Sequence, residues 1–250
     1  MAPVHTEVAA HPQEYTLSKE PSGGSRLARR LVQLYGGLVL YGVGMGLQVR
    51  AALGLDPWDV FHQGIVKRTP LSFGTVTIIV GAAVLLLWIP LRQRPGLGTV
   101  SNVMVIGVTV DATLWLVPQP DALALRVPLL LASIVVGGAA TGLYISARFG
   151  PGPRDGLMTG LHQRTGRSVR LVRTGIEVAV LATGFALGGS VGVGTVLYAL
   201  AIGPLSQYFL GLFAIPSATG EATGDAPEET TESSPVVAQG GPRSPIRDLI

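Results

Sequence analysis

Apolar residues fill six stretches of the chain, each about twenty residues long and each bounded by polar or by glycine- and proline-rich segments. A helix needs about 20 apolar residues to cross the hydrocarbon core of a bilayer. The pattern therefore predicts six transmembrane helices. The expected spans are 31–49, 73–91, 98–117, 127–147, 171–188 and 194–214. The predicted domains are a disordered tail at 1–25, a transmembrane domain at 26–216 and a disordered tail at 217–250.

The composition of the chain agrees with a membrane protein. Hydrophobic residues make up 48% of the 250 residues and charged residues only 13%, whereas a soluble domain carries about 25% charged residues. The chain contains no cysteine, which excludes disulfides, thiolate metal sites and cysteine nucleophiles. The fold class that these features predict is an all-α polytopic membrane protein.

The distribution of basic residues predicts how the spans are oriented. Arginines are concentrated at the span ends that would share a side with the N-terminus, and the loop between spans five and six carries no charge. Because cytoplasmic loops are enriched in Lys and Arg, we expect both termini to be cytoplasmic.

A polar segment between spans four and five has a counterpart between spans one and two. Shifted by 96 residues, "ALGLDPWDVFHQGIVKRTPLS" (52–72) aligns without gaps with "RFGPGPRDGLMTGLHQRTGRS" (148–168). The match continues into the following spans, where "GLGTV" aligns with "GVGTV", and it indicates an internal duplication. The alignment pairs Gly54 with Gly150, Pro57 with Pro153 and Asp59 with Asp155.

The duplication predicts two copies of opposite orientation. Each copy contains three expected spans, about 31–117 in repeat 1 and about 127–214 in repeat 2. Because three is an odd number, the second copy would enter the membrane in the opposite sense. Inverted-topology repeats of this kind are typical of transporters.

The two motif copies also carry a resemblance to a known family. The segments "LGLDPWDVFHQG" and "GPGPRDGLMTGL" resemble those of the YczE/YitT-type bacterial integral membrane proteins, and the resemblance covers roughly residues 30–212. It implies a multi-pass protein of the bacterial inner membrane. It implies no catalytic residue and no substrate.

Each motif copy predicts the start of a short amphipathic helix, over about 57–68 and about 153–164. Proline is favoured at the first position of a helix, and an acid at the third position is stabilised by the helix dipole. Two interpretations remain open. The helices lie in the membrane interface on opposite sides, or they are re-entrant and their N-termini share one polar site.

Two further acids lie within the expected spans, where a charge is costly and faces the protein interior or water. Glu177 follows Arg173 by four residues, which predicts an ion pair within one helix. Asp111 has no such local partner and is the stronger pathway candidate. The candidate pathway or helix-start residues are Asp59, Asp155, Pro57, Pro153, Gly54, Gly150, Asp111 and Glu177.

Four arginines precede the fifth span, at positions that favour contact with anionic lipid on the cytoplasmic side. They are Arg164, Arg167, Arg170 and Arg173. The expected partners are therefore the bilayer and an unidentified small-molecule ligand, and a homo-oligomer stays open. We expect no nucleic acid, no metal and no cofactor.

The leading functional hypothesis is a small-molecule or ion permease, or a component of an exporter, because inverted repeats enclose paired polar elements. The alternative is a membrane scaffold or regulatory partner of an enzyme complex, without transport. An enzyme is not expected, because the sequence has no metalloprotease His spacing and no nucleophile elbow.

Overall fold

The computed structural model describes residues 23–214, and these residues form eight α-helices and no strand. The helices are α1 (Gly23–Ala51), α2 (Pro57–Val66), α3 (Phe73–Leu91), α4 (Leu97–Leu116), α5 (Leu123–Ser146), α6 (Pro153–Thr165), α7 (Val169–Ala186) and α8 (Val193–Phe213). The tail predicted at 217–250 and residues 1–22 of the tail predicted at 1–25 lie outside the described residues. The prediction of an all-helical protein is confirmed for the part that is described.

Five of these helices are long and apolar enough to cross a membrane, and each covers one of the expected spans. They are Leu27–Ala51, Phe73–Leu91, Leu97–Leu116, Leu123–Ser146 and Val193–Phe213. The fifth expected span is also a helix, α7, but it is not among these five helices. The physical reason is its first half, which carries Arg170, Arg173 and Glu177.

The first helix begins earlier than expected. It starts at Gly23, within the predicted tail, instead of at 31. Residues 27–30 are Leu-Ala-Arg-Arg, all good helix formers, and they continue the span as a polar extension. The Nε of Arg30 donates a hydrogen bond of 3.0 Å to the carbonyl of Ala147, which fastens the extension to the end of α5.

Helices α1 and α5 pack against each other at the centre of the bundle. Helix α4 packs on α1, and α8 packs on α5. Each short helix packs against a long helix from the other half of the chain: α2 packs against α7, and α6 packs against α3. The short helices are therefore held between longer helices.

The helix boundaries repeat at the 96-residue offset found in the sequence. Helices α6, α7 and α8 begin 96 residues after α2, α3 and α4. The contacts repeat as well: Gly98 N–H donates to the carbonyl of Phe149 at 2.9 Å, and Gly194 N–H donates to that of Leu53 at 2.8 Å. The two halves of the described chain thus use the same local structure.

The paired glycines of the motif have a structural role at these junctions. Gly54 and Gly150 adopt φ values of +115° and +116°, a region that side chains disfavour. A Cβ on Gly54 would lie 2.7 Å from the nitrogen of Gly192, and one on Gly150 would lie 3.0 Å from Thr99 Oγ1. Gly54 therefore allows its loop to approach the start of α8 closely, and Gly150 allows its loop to approach the start of α4.

One contact between helices is not repeated. Helices α3 and α4 pack closely, so that a Cβ on Gly107 would lie 2.8 Å from the carbonyl oxygen of Gly74. Their counterparts α7 and α8 do not pack in this way, and a Cβ on Gly203, the counterpart of Gly107, would meet nothing within 4 Å. The described bundle is closed between α3 and α4 and open between α7 and α8.

Candidate functional site

The start of α2 follows the prediction from its sequence. Asp56 is the N-cap, and its Oδ1 accepts a hydrogen bond of 2.7 Å from the N–H of Asp59. Pro57 occupies the first turn, where its missing N–H costs nothing. The helix ends at Val66, two residues earlier than expected, because Pro70 prevents the chain from continuing as a helix.

The start of α6 is built in the same way. Gly152 is the N-cap, Pro153 lies in the first turn and Asp155 follows as the acid of that turn. Both short helices are buried along one side. The buried residues are Trp58, Asp59, Val60, His62 and Gly64 of α2, and Pro153, Gly156, Leu157, Met158 and Gly160 of α6.

A guanidinium from α6 connects the two helix starts. Arg154 Nη1 lies 3.5 Å from Asp56 Oδ2, and Nη2 lies 3.8 Å from Asp59 Oδ1. The guanidinium carbon lies 5.0 Å from the centre of the Trp58 ring, within the range of a cation–π contact. The N-termini of α2 and α6 therefore converge on one charged cluster.

Burial controls the ionisation of the acids and the imidazole in this cluster. It raises the pKa of Asp59 to about 6, although Arg154 acts in the opposite direction. Burial also raises the pKa of Asp56, and repulsion by Asp59 adds to the increase. The pKa of His62 falls to about 3 because of burial, to which Arg154 adds. His62 is therefore neutral at neutral pH.

The contact between His62 and Asp59 is consequently a hydrogen bond and not an ion pair. His62 Nδ1 lies 3.1 Å from Asp59 Oδ1. An ionised carboxylate only accepts hydrogen bonds, so the ring donates from Nδ1 when Asp59 is ionised. The imidazole in this way fixes the orientation of the carboxylate that faces Arg154.

Asp155, the counterpart of Asp59, has a different environment. The Tyr144 hydroxyl of α5 donates a hydrogen bond of 3.0 Å to Asp155 Oδ2. Asp155 is exposed, and it takes part in none of the ion pairs among residues 23–214. The neighbouring Arg154 points to α2 instead. Asp155 thus presents a carboxylate that belongs to no ion pair of the described residues, although Arg173 is near enough to interact with it electrostatically.

Apart from Asp59, these groups line a cavity of about 470 Å³ inside the bundle. Its wall includes residues of all eight helices or of the loops that start them, and it is mainly apolar and aromatic. The polar and aromatic residues that matter most are Tyr41, Trp58, Asn102, Tyr144, Arg154 and Tyr198. A volume of a few hundred Å³ with a few placed polar groups is typical of small-molecule sites.

The open side of the bundle coincides with one wall of this cavity. Arg173 and Glu177 of α7 and Gly203 and Gln207 of α8 line it, and Gly203 and Gln207 are exposed. Arg173 Nε donates to Glu177 Oε1 at 2.9 Å, which confirms the ion pair predicted from their spacing. The cavity therefore reaches the surface between α7 and α8.

Asp111 is not brought to this cavity. Its Oδ1 accepts a hydrogen bond of 2.7 Å from the N–H of Gly74, and its Oδ2 accepts one from the Ser72 hydroxyl. The carboxylate stabilises the start of α3, and it lines a second, wide cavity of about 610 Å³ together with Arg50 and Lys67. No local sequence pattern indicates this contact, because Ser72 and Asp111 lie 39 residues apart in the chain.

The four arginines before the fifth span divide into two groups. Arg164 donates to the carbonyl of Pro90, and Arg173 pairs with Glu177. Arg167 and Arg170 are exposed. Two of the four arginines thus have partners within the protein.

Sequence reasoning missed the central role of Arg154, because from sequence alone it is one of several basic residues between two expected spans. The alignment nevertheless contained a signal. It pairs Trp58 with Arg154 and Asn102 with Tyr198, and all four residues line one cavity. Residues that lie near their own counterparts mark the boundary between two related halves.

Among the described residues, His, Asp and Glu form no group of three that could hold a metal ion. Asp56, Asp59 and His62 are instead occupied with Arg154 and with each other. The arrangement is suited to binding a small molecule through charge and aromatic contacts.

The fold and the site define a class, a polytopic α-helical membrane protein with a charged cavity between its helices. The chain belongs to the family described as "Family of unknown function (DUF6198)", which matches residues 28–211. It is similar to an uncharacterized protein of Haemophilus influenzae, with 42% identity over 177 residues that cover 71% of this chain and 81% of that protein.

Two proteins of Bacillus subtilis are also similar. The "Uncharacterized membrane protein YczE" shares 32% identity over 186 residues, or 74% of this chain and 86% of that protein. The "Uncharacterized protein YyaS" shares 24% over 178 residues, or 70% and 89%. The resemblance read from the motifs is thus confirmed for YczE, and location in a membrane follows. No solved structure matches the chain significantly.

Proposed function

We propose that this protein is a permease of the bacterial inner membrane for a small molecule, which it binds in the cavity of about 470 Å³. The observation that carries the proposal is this cavity itself, which holds Asp56, Arg154 and Asp155 inside an apolar bundle. Charged groups within a membrane are costly and mark substrate pathways. A scaffold without transport would have no use for a charged cavity of this size.

The proposal includes six spans in two inverted repeats, with α7 added to the five helices above as the fifth span in chain order and both termini cytoplasmic. The 96-residue offset of the helix starts supports it, since α7 then corresponds to α3, which is apolar enough to cross a membrane. In this arrangement α2 and α6 are re-entrant helices from opposite sides. Non-helical backbone at their starts is tolerated because it is buried in protein and lines a cavity.

The unequal packing of the two halves supports alternating access. Helices α3 and α4 close one side of the cavity, while α7 and α8 leave the other side open. Because the two halves are related in sequence, we expect each pair of helices, α3 with α4 and α7 with α8, to be able to adopt both the closed and the open packing. In the opposite state α7 and α8 would close and α3 and α4 would separate, as expected for transporters built from inverted repeats.

We also propose that Arg167 and Arg170 contact anionic lipid headgroups. Both are exposed at the start of α7, and neither forms an ion pair among the described residues. A basic residue near the membrane surface contributes about 1 kcal/mol of attraction to anionic lipid.

Flux measurements in proteoliposomes test the permease function. We expect a panel of small organic compounds to contain at least one that enters protein-containing vesicles faster than empty ones. Gly203→Trp should reduce this flux strongly, because Gly203 lines the cavity and has free space around it. Gly211→Trp is the matched control, since Gly211 also has free space but lies outside the cavity. Absence of flux, or equal flux in the two variants, would contradict the proposal and favour the scaffold.

A further inference from the structure

The charges around the cavity do not balance. Two carboxylates, Asp56 and Asp59, lie within 3.8 Å of the guanidinium of Arg154, and Asp155 adds another carboxylate to the cavity wall. The other pair on the cavity wall, Arg173 and Glu177, is neutral as a pair. The site as a whole therefore carries an excess of negative charge, which favours a cationic ligand over an anionic one.

We propose that the cavity binds a small organic cation whose ammonium group contacts Asp155. The role of this site in transport rests on the proposed function, whereas binding of the cation can be measured without any flux.

The position of Arg154 leaves Asp155 available. Although the two residues are adjacent in the sequence, the guanidinium extends to α2, where it lies 3.5 Å from Asp56 and 3.8 Å from Asp59. The same guanidinium stacks on Trp58. Arg154 is held from three sides, so it neutralises the carboxylates of α2 and not the one beside it.

The surroundings of Asp155 fit an ammonium group. The Tyr144 hydroxyl donates to Oδ2 and so fixes the carboxylate. The rings of Tyr41 and Tyr144 meet edge to face at 6.4 Å between centroids, and Tyr198 lines the same cavity. Carboxylates and aromatic faces together are the groups that bind organic ammonium ions.

A second and independent feature concerns Trp58. The residue lines the cavity and is only 6% exposed. Its indole N–H has no hydrogen-bond acceptor within the described part of the chain. A buried donor without an acceptor is unfavourable. This favours a ligand that brings an acceptor oxygen together with its ammonium group.

The apolar residues of the cavity wall indicate that the bound cation is organic. Residues such as Met45, Val80, Val84 and Ile106 line the cavity beside the aromatic rings. These side chains provide contact area for a carbon skeleton and no ligands for a metal ion. The described acids and histidines also form no group that could hold a metal.

Calorimetric titration of the purified full chain in detergent tests the proposal with three probes of one shape. Tyramine carries an ammonium group, tyrosol replaces it with a neutral hydroxyl, and 4-hydroxyphenylacetate replaces it with a carboxylate. We expect tyramine to bind at least about tenfold more tightly than either analogue, in line with a charge-assisted hydrogen bond. Asp155→Asn should weaken tyramine at least about tenfold and tyrosol little.

The control is Asp121→Asn, which makes the same change of charge on an exposed residue outside the cavity and should leave all three affinities unchanged. If Asp155→Asn fails to fold, Tyr144→Phe retains the carboxylate and should weaken tyramine selectively. Tighter binding of 4-hydroxyphenylacetate, binding of no probe, or an unchanged tyramine affinity in folded Asp155→Asn would overturn the proposal. Tyramine binding without any flux of any compound would leave the cation site intact and contradict only the permease function.

Discussion

Trp58 and Arg154 occupy equivalent positions 96 residues apart in the sequence, and the guanidinium of one stacks on the indole of the other at 5.0 Å. Residues that meet their own counterparts lie at the boundary between the two halves. The equivalent positions carry an aromatic ring in one half and a cation in the other, so their contact is attractive without being symmetric. The same asymmetry leaves Asp59 paired with Arg154 and Asp155 available.

Removal of the guanidinium should destabilise the protein. Arg154→Met leaves Asp56 and Asp59 without their cation, and the loss of one partner of a buried ion pair costs about 3–5 kcal/mol. We expect a clearly lower melting temperature in detergent, measured by thermal unfolding with tryptophan fluorescence. Arg170→Met, which alters an exposed arginine of α7, is the control and should change it little. Equal melting temperatures for the two variants would show that the cluster does not stabilise the fold.

The second prediction concerns pH and Asp59. Because burial raises the pKa of Asp59 from 3.8 to about 6, the folded state binds this proton more tightly than the unfolded state. The contribution of Asp59 to stability is therefore highest below about pH 4 and decreases as the pH rises to about 6. Asp59→Asn removes this dependence, so the variant should gain stability relative to the parent as the pH rises from 4.5 to 7.5.

His62 must be removed from that comparison, since its pKa falls to about 3 and its titration acts in the opposite direction. Both proteins should therefore carry His62→Gln. The groups that face Asp59 in both are then Asp56 and Arg154. Loss of the Asp59 charge also lowers the pKa of Asp56, which again favours the variant as the pH rises, so the two effects have the same sign. A difference in melting temperature that does not vary between pH 4.5 and 7.5 would mean that Asp59 is not desolvated.

The third prediction concerns α7, whose first half carries the charged residues Arg170, Arg173 and Glu177. If it crosses the membrane, the loop before it and the loop after it lie on opposite sides. Alkaline phosphatase fused after residue 167 should then be inactive, and phosphatase fused after residue 190 should be active. A cytoplasmic reporter at the same two positions should show the reverse. The same activity at both positions would limit the protein to five spans.

The local features of the site could be read from the sequence, and the long-range ones could not. Pro57 and Pro153 predicted both helix starts because capping involves only the first turn. The partners of Arg154 come from a helix almost one hundred residues away, and no local pattern predicts such a contact. Asp111 illustrates the same limit, since its hydrogen bond with Ser72 joins residues 39 apart.

The last prediction tests whether the open and closed sides of the bundle exchange. A Cβ on Gly81 of α3 would lie 3.6 Å from the Cβ of Val103 on α4, within the range of about 3.5–4.5 Å that a disulfide requires. The double variant Gly81→Cys/Val103→Cys should therefore crosslink readily under mild oxidation, and the chain has no native cysteine to interfere. This disulfide would hold α3 and α4 together and fix the state described here.

The counterpart positions at the 96-residue offset are Glu177 on α7 and Ala199 on α8, which both line the open side of the cavity. Glu177→Cys/Ala199→Cys should crosslink slowly, since α7 and α8 must first close. Once formed, either disulfide should abolish flux, because alternating access requires each side to open in turn. The α3–α4 crosslink should leave binding from the α7–α8 side intact, whereas the α7–α8 crosslink should slow it. Full flux with the α3–α4 disulfide in place would show that the molecule does not work by exchanging the packing of its two halves.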